Sequence, residues 1–554
     1  MSETKTPEIT GTIYTDIETS NREIMRLRTQ VADLKRQADE MAEEIRIMKA
    51  RQYGRRSEKL TSTDIRQGLL FNEAETHSSA PEAEQTVETV RITKTVYTRR
   101  KAGRTPISAK LARVENVVDV SDEEKKVDEG YELVRIGEER GEQIHEIPQK
   151  YIVITTIRPK YLKRRIAGGT AIVPESKASE FLIAPVPERI LPRSIATPSL
   201  LSSVLTGKFC DGLPFNRQER IFARHGLEIS RQDMANWAMA VAGKLSDLMA
   251  MLVKELLSSS YLHCDETYVQ VLDEPGKENS SKSYMWVMTS SEGGRKVILF
   301  RYSRTRSAGF ISSFLDTYVG YIQTDGYAGY NDIGEKQGVI HVACWAHVRR
   351  KFVEAHEAAS GMGFAIEAVN LIKKLYDIER TLRALYFGEE GKEPDYEAFA
   401  RERVLQVQPV FALLDAWLTE KAQAVLPSSA LGKAIAYTRS LWPMLIRYVE
   451  CPHLTPDNNE VERAIKPFVI GRKGWMMSGS PKGAFASADL YSLIETAKAN
   501  GLEPYFYLRY VLTTLPTLAS DALSSLLPWN VDPADFEKLT IEDARLSLNS
   551  VGIF

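Results

Sequence analysis

Residues 260–273 read SYLHCDETYVQVLD, and two later stretches, SYMWVMTSS (283–291) and RKVILFRYS (295–303), share their texture. Aromatic and β-branched residues dominate each run, and Gly and Ser clusters separate them, which predicts three consecutive strands. SAGFISSFLDTYV (307–319) follows as a helix, and GYIQTDGYAGY (320–330) as a fourth strand running into a glycine turn. Asp265 lies inside the first strand; Asp325 ends the fourth and precedes Gly326. A half-buried aspartate on a strand is unfavourable unless it is paired or holds a metal. Glu266 adjoins Asp265, and neighbouring strand side chains face opposite sides, so one of the two can point at a shared site. Periodicity leaves open which.

Three strands, a helix and a further strand match the opening of a ribonuclease-H-like fold. A third acid belongs to a later segment, DNNEVERAIKPF (457–468), which reads as a helix with Asp457 as N-cap and Pro467 as its stop. Val461, Ile465 and Phe468 share one face, and Glu460 and Glu462 flank it on opposite sides. Arg463, Lys466, Arg472, Lys473 and Lys482 follow with no acid before Asp489, which suggests a phosphate path beside the helix. Between the fourth strand and this helix, Ile372, Leu375, Ile378 and Leu382 form one amphipathic stripe, and Val410, Leu413, Leu414 and Trp417 another. An all-helical insertion would part the third acid from the others in sequence but not in space. Three acids have a chemical reason: two Mg²⁺ ions about 3.5–4 Å apart need hard oxygen ligands for an in-line phosphodiester displacement.

N-terminal to the strands, Ile17, Ile24, Val31, Ala38 and Ile45 recur every seven residues, with Leu27, Leu34, Met41 and Met48 at the offset positions. That period predicts a parallel, left-handed coiled coil and so self-association. An acidic linker follows, and then Arg91 to Val114 carries eight basic residues and no acid, among them Arg99, Arg100, Lys101 and Arg104. Such a run repels itself unless a polyanion neutralises it, which makes nucleic acid the expected partner. Residues 131–165 alternate apolar and polar positions and suggest a small β-unit. Residues 213–245 read as two helices joined at Gly226, with Ser230 capping the second beside Arg231, a pattern compatible with helix-turn-helix DNA binding.

Composition bounds the rest. In 554 residues, 72 Lys and Arg balance 74 Asp and Glu, which excludes a uniformly basic nucleic-acid coat. Apolar residues make up 43%, as in globular chains, and no run of about 18 apolar residues suggests a membrane span. Cys210, Cys264, Cys344 and Cys451 lie far apart without a CxxC pair, which speaks against a disulfide framework and fits a reducing cytoplasm. His341, Cys344 and His347 have a spacing that a metal could use, but core packing for Cys344 and DNA contact for Arg349, Arg350 and Lys351 is the preferred reading. Trp345 is expected in the core rather than stacked on a base.

Several segments together resemble the DDE transposases of the insertion-sequence 66 family of bacterial mobile elements. They are YGRRSEKL (from Tyr53), KFCDGLPFNRQ (from Lys208), HCDET (from His263), TDGYAGY (from Thr324), CWAHVRRKF (from Cys344), DNNEVERAIKP (from Asp457) and GRKGWMMSGS (from Gly471), with ANGLEPYFYLRYVLTTLP and LLPWN toward the tail. The resemblance implies a multidomain α/β chain whose RNase-H-like core carries Asp265, Asp325 and Glu462 as catalytic and metal-binding acids. Glu462 is chosen because the family's helix reads NNxxER, which sets the glutamate before Arg463. It further implies Mg²⁺ or Mn²⁺, two ions per site, and double-stranded DNA as both element ends and target. A homodimer or higher oligomer on DNA, helper proteins encoded beside the transposase, and a bacterial cytoplasmic, nucleoid-associated location complete the picture. The family's cysteine zinc module has no counterpart here: IPQKYIVITTIRPKYLKRR looks like its frame without a cysteine, which argues against zinc there.

The segments expected are a coiled coil (14–53), an acidic linker (54–90), a basic segment with the small β-unit (91–194) and the helix-turn-helix-like region (195–250). The core's first part (257–352), the helical insertion (353–455), the core's second part (456–484) and a C-terminal helical region (485–554) follow. Two other functions fit the same residues. One is a structure-specific nuclease on this core; the other is a non-catalytic DNA-binding protein descended from a transposase.

Overall fold

A computed structural model describes residues 25–28, 30, 151–162, 165–167, 170–172, 181–359, 363–388 and 394–550. Most of the heptad segment, and Arg99, Arg100, Lys101 and Arg104, lie outside the described residues. The chain divides into two compact units, 82–157 and the remainder. Of the first, residues 151–157 are described and carry no regular element. Of the β-unit expected over 131–165, residues 131–150 lie outside the described residues; Lys160–Leu162 pairs with Phe181–Ile183, and Arg165–Ala167 with Thr170–Ile172, both antiparallel.

The second unit is built on a mixed sheet. Strands β1 (Tyr261–Val271), β2 (Lys282–Glu292) and β3 (Arg295–Ser303) form an antiparallel meander. β4 (Gly320–Thr324) pairs parallel to β1, and β5 (Val339–Ala343) parallel to β4, giving the order β3-β2-β1-β4-β5. A short β6 (Met477–Ser478) pairs parallel to the far end of β1. β5 escaped the sequence reading because five residues with a histidine in the middle carry too little period to tell strand from helix.

Helices α1 (Pro198–Phe209), α2 (Phe215–Arg224), α3 (Arg231–Lys244) and α4 (Ser246–Leu257) precede the sheet. Gly226 adopts φ +75° between α2 and α3, a turn that disfavours a side chain. Ser230 and Asp233 form a reciprocal capping box at the start of α3. Helix α5 (Ala308–Phe314) links β3 to β4, and α6 (Trp345–Ala358) leaves β5. The insertion is α7 (Ala365–Phe387), α8 (Tyr396–Ala424) and α9 (Ala430–Leu445). Ile372, Leu375, Val410, Leu414 and Trp417 are buried in one core together with Trp345 and Phe352 of α6; Leu382 is buried too, and Leu413, assigned to the stripe, is exposed.

The chain returns as α10 (Asn459–Trp475), α11 (Pro481–Ala499) and α12 (Pro504–Thr514), with α13 (Asp535–Ser550) at the end. Pro467 does not stop α10. A proline inside a helix costs about 3 kcal/mol, but Val461, Ile465, Phe468 and Val469 are all buried around it, each contributing about 1.5–3 kcal/mol, so packing carries the helix through. α11 crosses the boundary expected at residue 484 and lies along β3, where Ser492 and Thr496 accept the Phe300 and Ile298 N–H groups.

Candidate active site

The parallel pairing of β1 with β4 sets the first two acids side by side. His263 is in register with Gln323, so Asp265 and Asp325 each stand two residues further along neighbouring strands. Equal, even offsets on parallel strands put both carboxylates on the same face. Glu266 points the other way, into an ion pair with Arg306 and a hydrogen bond from the Tyr330 hydroxyl, with its side chain 1% exposed. Glu266 is thereby paired within the protein, while its charge still raises the Asp265 carboxyl.

Asp325 sits where the strand ends. Its Oδ1 accepts the Tyr327 N–H at 3.0 Å, while a side chain at Gly326 would collide with Tyr437 and Leu441 of α9. The glycine therefore lets the insertion close over this turn.

Glu462 arrives on α10. Asn458, its N-cap, is the residue that docks the helix: Nδ2 donates to the Cys264 carbonyl at 2.9 Å, and Oδ1 lies 3.0 Å from His263 Nδ1. The same residue's backbone N–H donates to Cys344 Sγ at 3.2 Å. Asp457, expected as the cap, instead accepts the Asn459 N–H and is buried. Glu460 faces His263 Nε2 at 3.7 Å, leaving Glu462 on the side of the aspartates.

Electrostatics record the convergence. Burial, then Glu266, Asp325 and Glu462 in turn, hold the Asp265 carboxyl well above the usual carboxylate range. Burial pushes Glu462 up to about 7; Arg350 pulls it down, Asp457 and Asp325 push it up, and Arg463 opposes them. Glu462 Oε1 is buried without a hydrogen-bond partner. Asp265 and Asp325 each accept one backbone N–H, from Glu266 and Tyr327, so mutual repulsion is only partly answered within the protein.

The other residues singled out in the sequence are placed less uniformly. Arg350 and Arg463 act on Glu462, whereas Lys351 pairs with Glu354 at 3.2 Å. Arg349 and Lys466 are half-buried. Arg472 is taken up by β1, donating to Thr267 Oγ1 at 2.9 Å and stacking on Tyr268 at 3.8 Å. Lys473 is exposed, as is Arg231 at the start of α3, whose backbone N–H donates to Glu219. Trp345 is in the core, its indole N–H donating to the Leu445 carbonyl at 2.9 Å. His341 lies on β5 and shares a hydrogen bond with Thr324 Oγ1 at 2.8 Å, apart from Cys344 and His347. Among the described residues, no helix is long and apolar enough to cross a membrane.

Comparison with known proteins places the chain in a family. The profile described as "Transposase IS66 family" matches residues 193–486, "IS66 C-terminal element" matches 492–529, and "Transposase C of IS166 homeodomain" matches 40–115. The chain belongs to the IS66 transposase family, which supports a transposase role. Two uncharacterized proteins of Sinorhizobium fredii are similar over nearly the whole length. y4qI is 28% identical over 92% of each chain, and y4jD is 29% identical over 93% of this chain and 96% of its own.

Proposed function

From membership of the IS66 transposase family, we propose that the protein cuts the ends of a mobile element and joins their 3′-hydroxyls to target DNA. The observation that carries this reading is the electrostatic coupling of Asp265 to Asp325 on the neighbouring parallel strand and to Glu462 on a distant helix. An RNase-H-like core is the reading of the β1–β5 sheet, with α7–α9 as the insertion that parts the second acid from the third.

The donor set fits hard divalent cations. All three groups offer carboxylate oxygens, and Glu462 Oε1 has no other partner. Asp265, Asp325 and Glu462 would hold Mg²⁺ or Mn²⁺; such a pair supplies Lewis-acid stabilisation of the phosphate and favours deprotonation of the attacking hydroxyl. The chain's own part is positional. Asn458 fixes α10 against β1, and Arg350 and Arg463 place positive charge beside Glu462 where phosphates would approach. Arg231, Arg349, Lys351, Lys466 and Lys473 offer further phosphate contacts for duplex DNA, and the basic run Arg99–Arg104 would bind it as well. Two copies paired through residues 14–53 would bring two ends together in the cytoplasm, with helper proteins from the same element.

Strand transfer with a precleaved element end and Mg²⁺ or Mn²⁺ tests the proposal. Asp265→Asn should lower joining about 1000-fold, the equivalent of several kcal/mol of metal stabilisation. Full activity in that variant refutes the site. Cutting without joining marks a nuclease, and tight DNA binding with neither marks a DNA-binding descendant.

A further inference from the structure

Beside the acids stands a second cluster of different chemistry. Cys344 caps α6 directly after β5, and His347 lies one turn along, so both project on the same side of the helix start. The Trp345 N–H donates to the Pro456 carbonyl at 2.8 Å, which ties the start of α6 to the segment that enters α10. As a result Cys344 Sγ, a ring nitrogen of His347 and a carboxylate oxygen of Glu462 all lie within 4.8 Å of one another. Among the described residues they are the one trio of Cys, His and acid donors drawn this close.

We infer that Cys344, His347 and Glu462 form a binding site for a borderline-soft divalent cation of the zinc type, separate from the hard-ion site and joined to it through Glu462. Unmet bonding supports this first: His347 Nδ1 and Glu462 Oε1 are each buried without a hydrogen-bond partner. Both atoms belong to side chains of the same close trio, so one ligand there would answer both. The sulfur is the second support. It is buried at the start of α6 and accepts the Asn458 N–H, within reach of the imidazole and the carboxylate; burial and the neighbouring Glu462 and Asp457 keep it a thiol, which a bound cation would deprotonate. Donor type decides the class of ion. Sulfur with imidazole selects zinc over magnesium, and three protein ligands leave a fourth position open.

The fit is close. Tetrahedral bonds of about 2.0–2.3 Å set donor atoms about 3.5 Å apart, so side-chain rotation of about an ångström completes the trio. A carboxylate has two oxygens, and an ion on the Cys344 side would anchor one while the other stays turned to the aspartates. The inference does not depend on strand transfer, since it concerns only these side chains.

Metal-stripped full-length protein titrated with Co²⁺ under excess Mg²⁺ provides the test. The expected result is a sulfur-to-cobalt charge-transfer absorption that saturates at one ion per chain and is abolished by Zn²⁺. Cys344→Ser should lose it. His347→Gln, which serves the same purpose if the serine variant fails to fold, should bind at least about tenfold more weakly. Asp265→Asn should keep it, which separates this site from the hard-ion one. Absence of the absorption in the parent chain, or its persistence in Cys344→Ser, overturns the inference.

Discussion

Arg403 in the insertion and Glu462 on α10 are both charged and both withdrawn from water, yet their surroundings are opposite. Arg403 is fully buried, and its two amino groups donate to the carbonyls of Leu454 (2.9 Å), Cys451 (2.7 Å), Val449 (3.1 Å) and Tyr448 (3.2 Å). Glu379 supplies the counter-charge at 3.4 Å, and Arg383 adds a second clamp on the Pro452 and Leu454 carbonyls. Glu462 faces other carboxylates, with an oxygen left bare. The arginine's contacts hold the last turn of chain before Asp457 and Asn458, so they serve geometry. The glutamate's surroundings cost stability, the mark of a group kept for chemistry rather than for packing. Satisfied buried charge builds the frame; unsatisfied buried charge marks where chemistry is expected.

The contrast can be broken most severely at Arg403. Arg403→Ala leaves the Tyr448, Val449 and Cys451 carbonyls without their buried donor and Glu379 with Arg383 alone, and should cost about 3–5 kcal/mol, read as a lower urea midpoint. Asp265→Asn, which removes one of several repelling charges, should leave that midpoint unchanged or raised. If Arg403→Ala unfolds no earlier than the parent chain, the clamp does not organise the return to α10.

A medium effect is expected from pH. The folded Glu462 holds its proton up to about 7, above its unfolded value, so its stabilising contribution is complete at low pH and is lost as pH rises through about 7. Metal-free protein should therefore melt progressively earlier between about pH 5 and 8, and Glu462→Gln should flatten the slope. Added Mn²⁺ should also flatten it, by favouring the ionised form. An identical slope with and without the metal would show that the carboxylates do not share a cation.

The smallest change is expected at the surface. Lys473 is exposed, and Lys473→Ala should weaken DNA binding a few-fold and lower the salt slope by about 1, measured by anisotropy at several salt concentrations. Arg472→Ala should instead disturb β1, because that side chain grips Thr267 and Tyr268. Equal salt slopes in the two variants would place Arg472 on the DNA after all.

Much of the frame was legible in the sequence where neighbours along the chain decide the outcome. Strand residues between Gly and Ser clusters formed β1 to β4, and Ser230 and Gly226 did what a cap and a positive-φ turn require. The same local logic misjudged Pro467, whose helix is sustained by buried partners from elsewhere, and Leu413, whose stripe faces water. It set Asn458 one turn before Glu462 on the same side but could not show it docking the helix, because its three partners come from β1 and the start of α6.

Periodicity and turn chemistry alone set which segments became strands and where two aspartates would lie along them, since those forces act across a few residues. Only the folded chain turned Glu266 aside toward Arg306, carried Glu462 across the insertion to Cys344 and His347, and wrapped the 448–454 carbonyls around Arg403. Such encounters join groups far apart in sequence. They are selected by how buried surfaces pack and by which polar groups must be answered once water has been excluded.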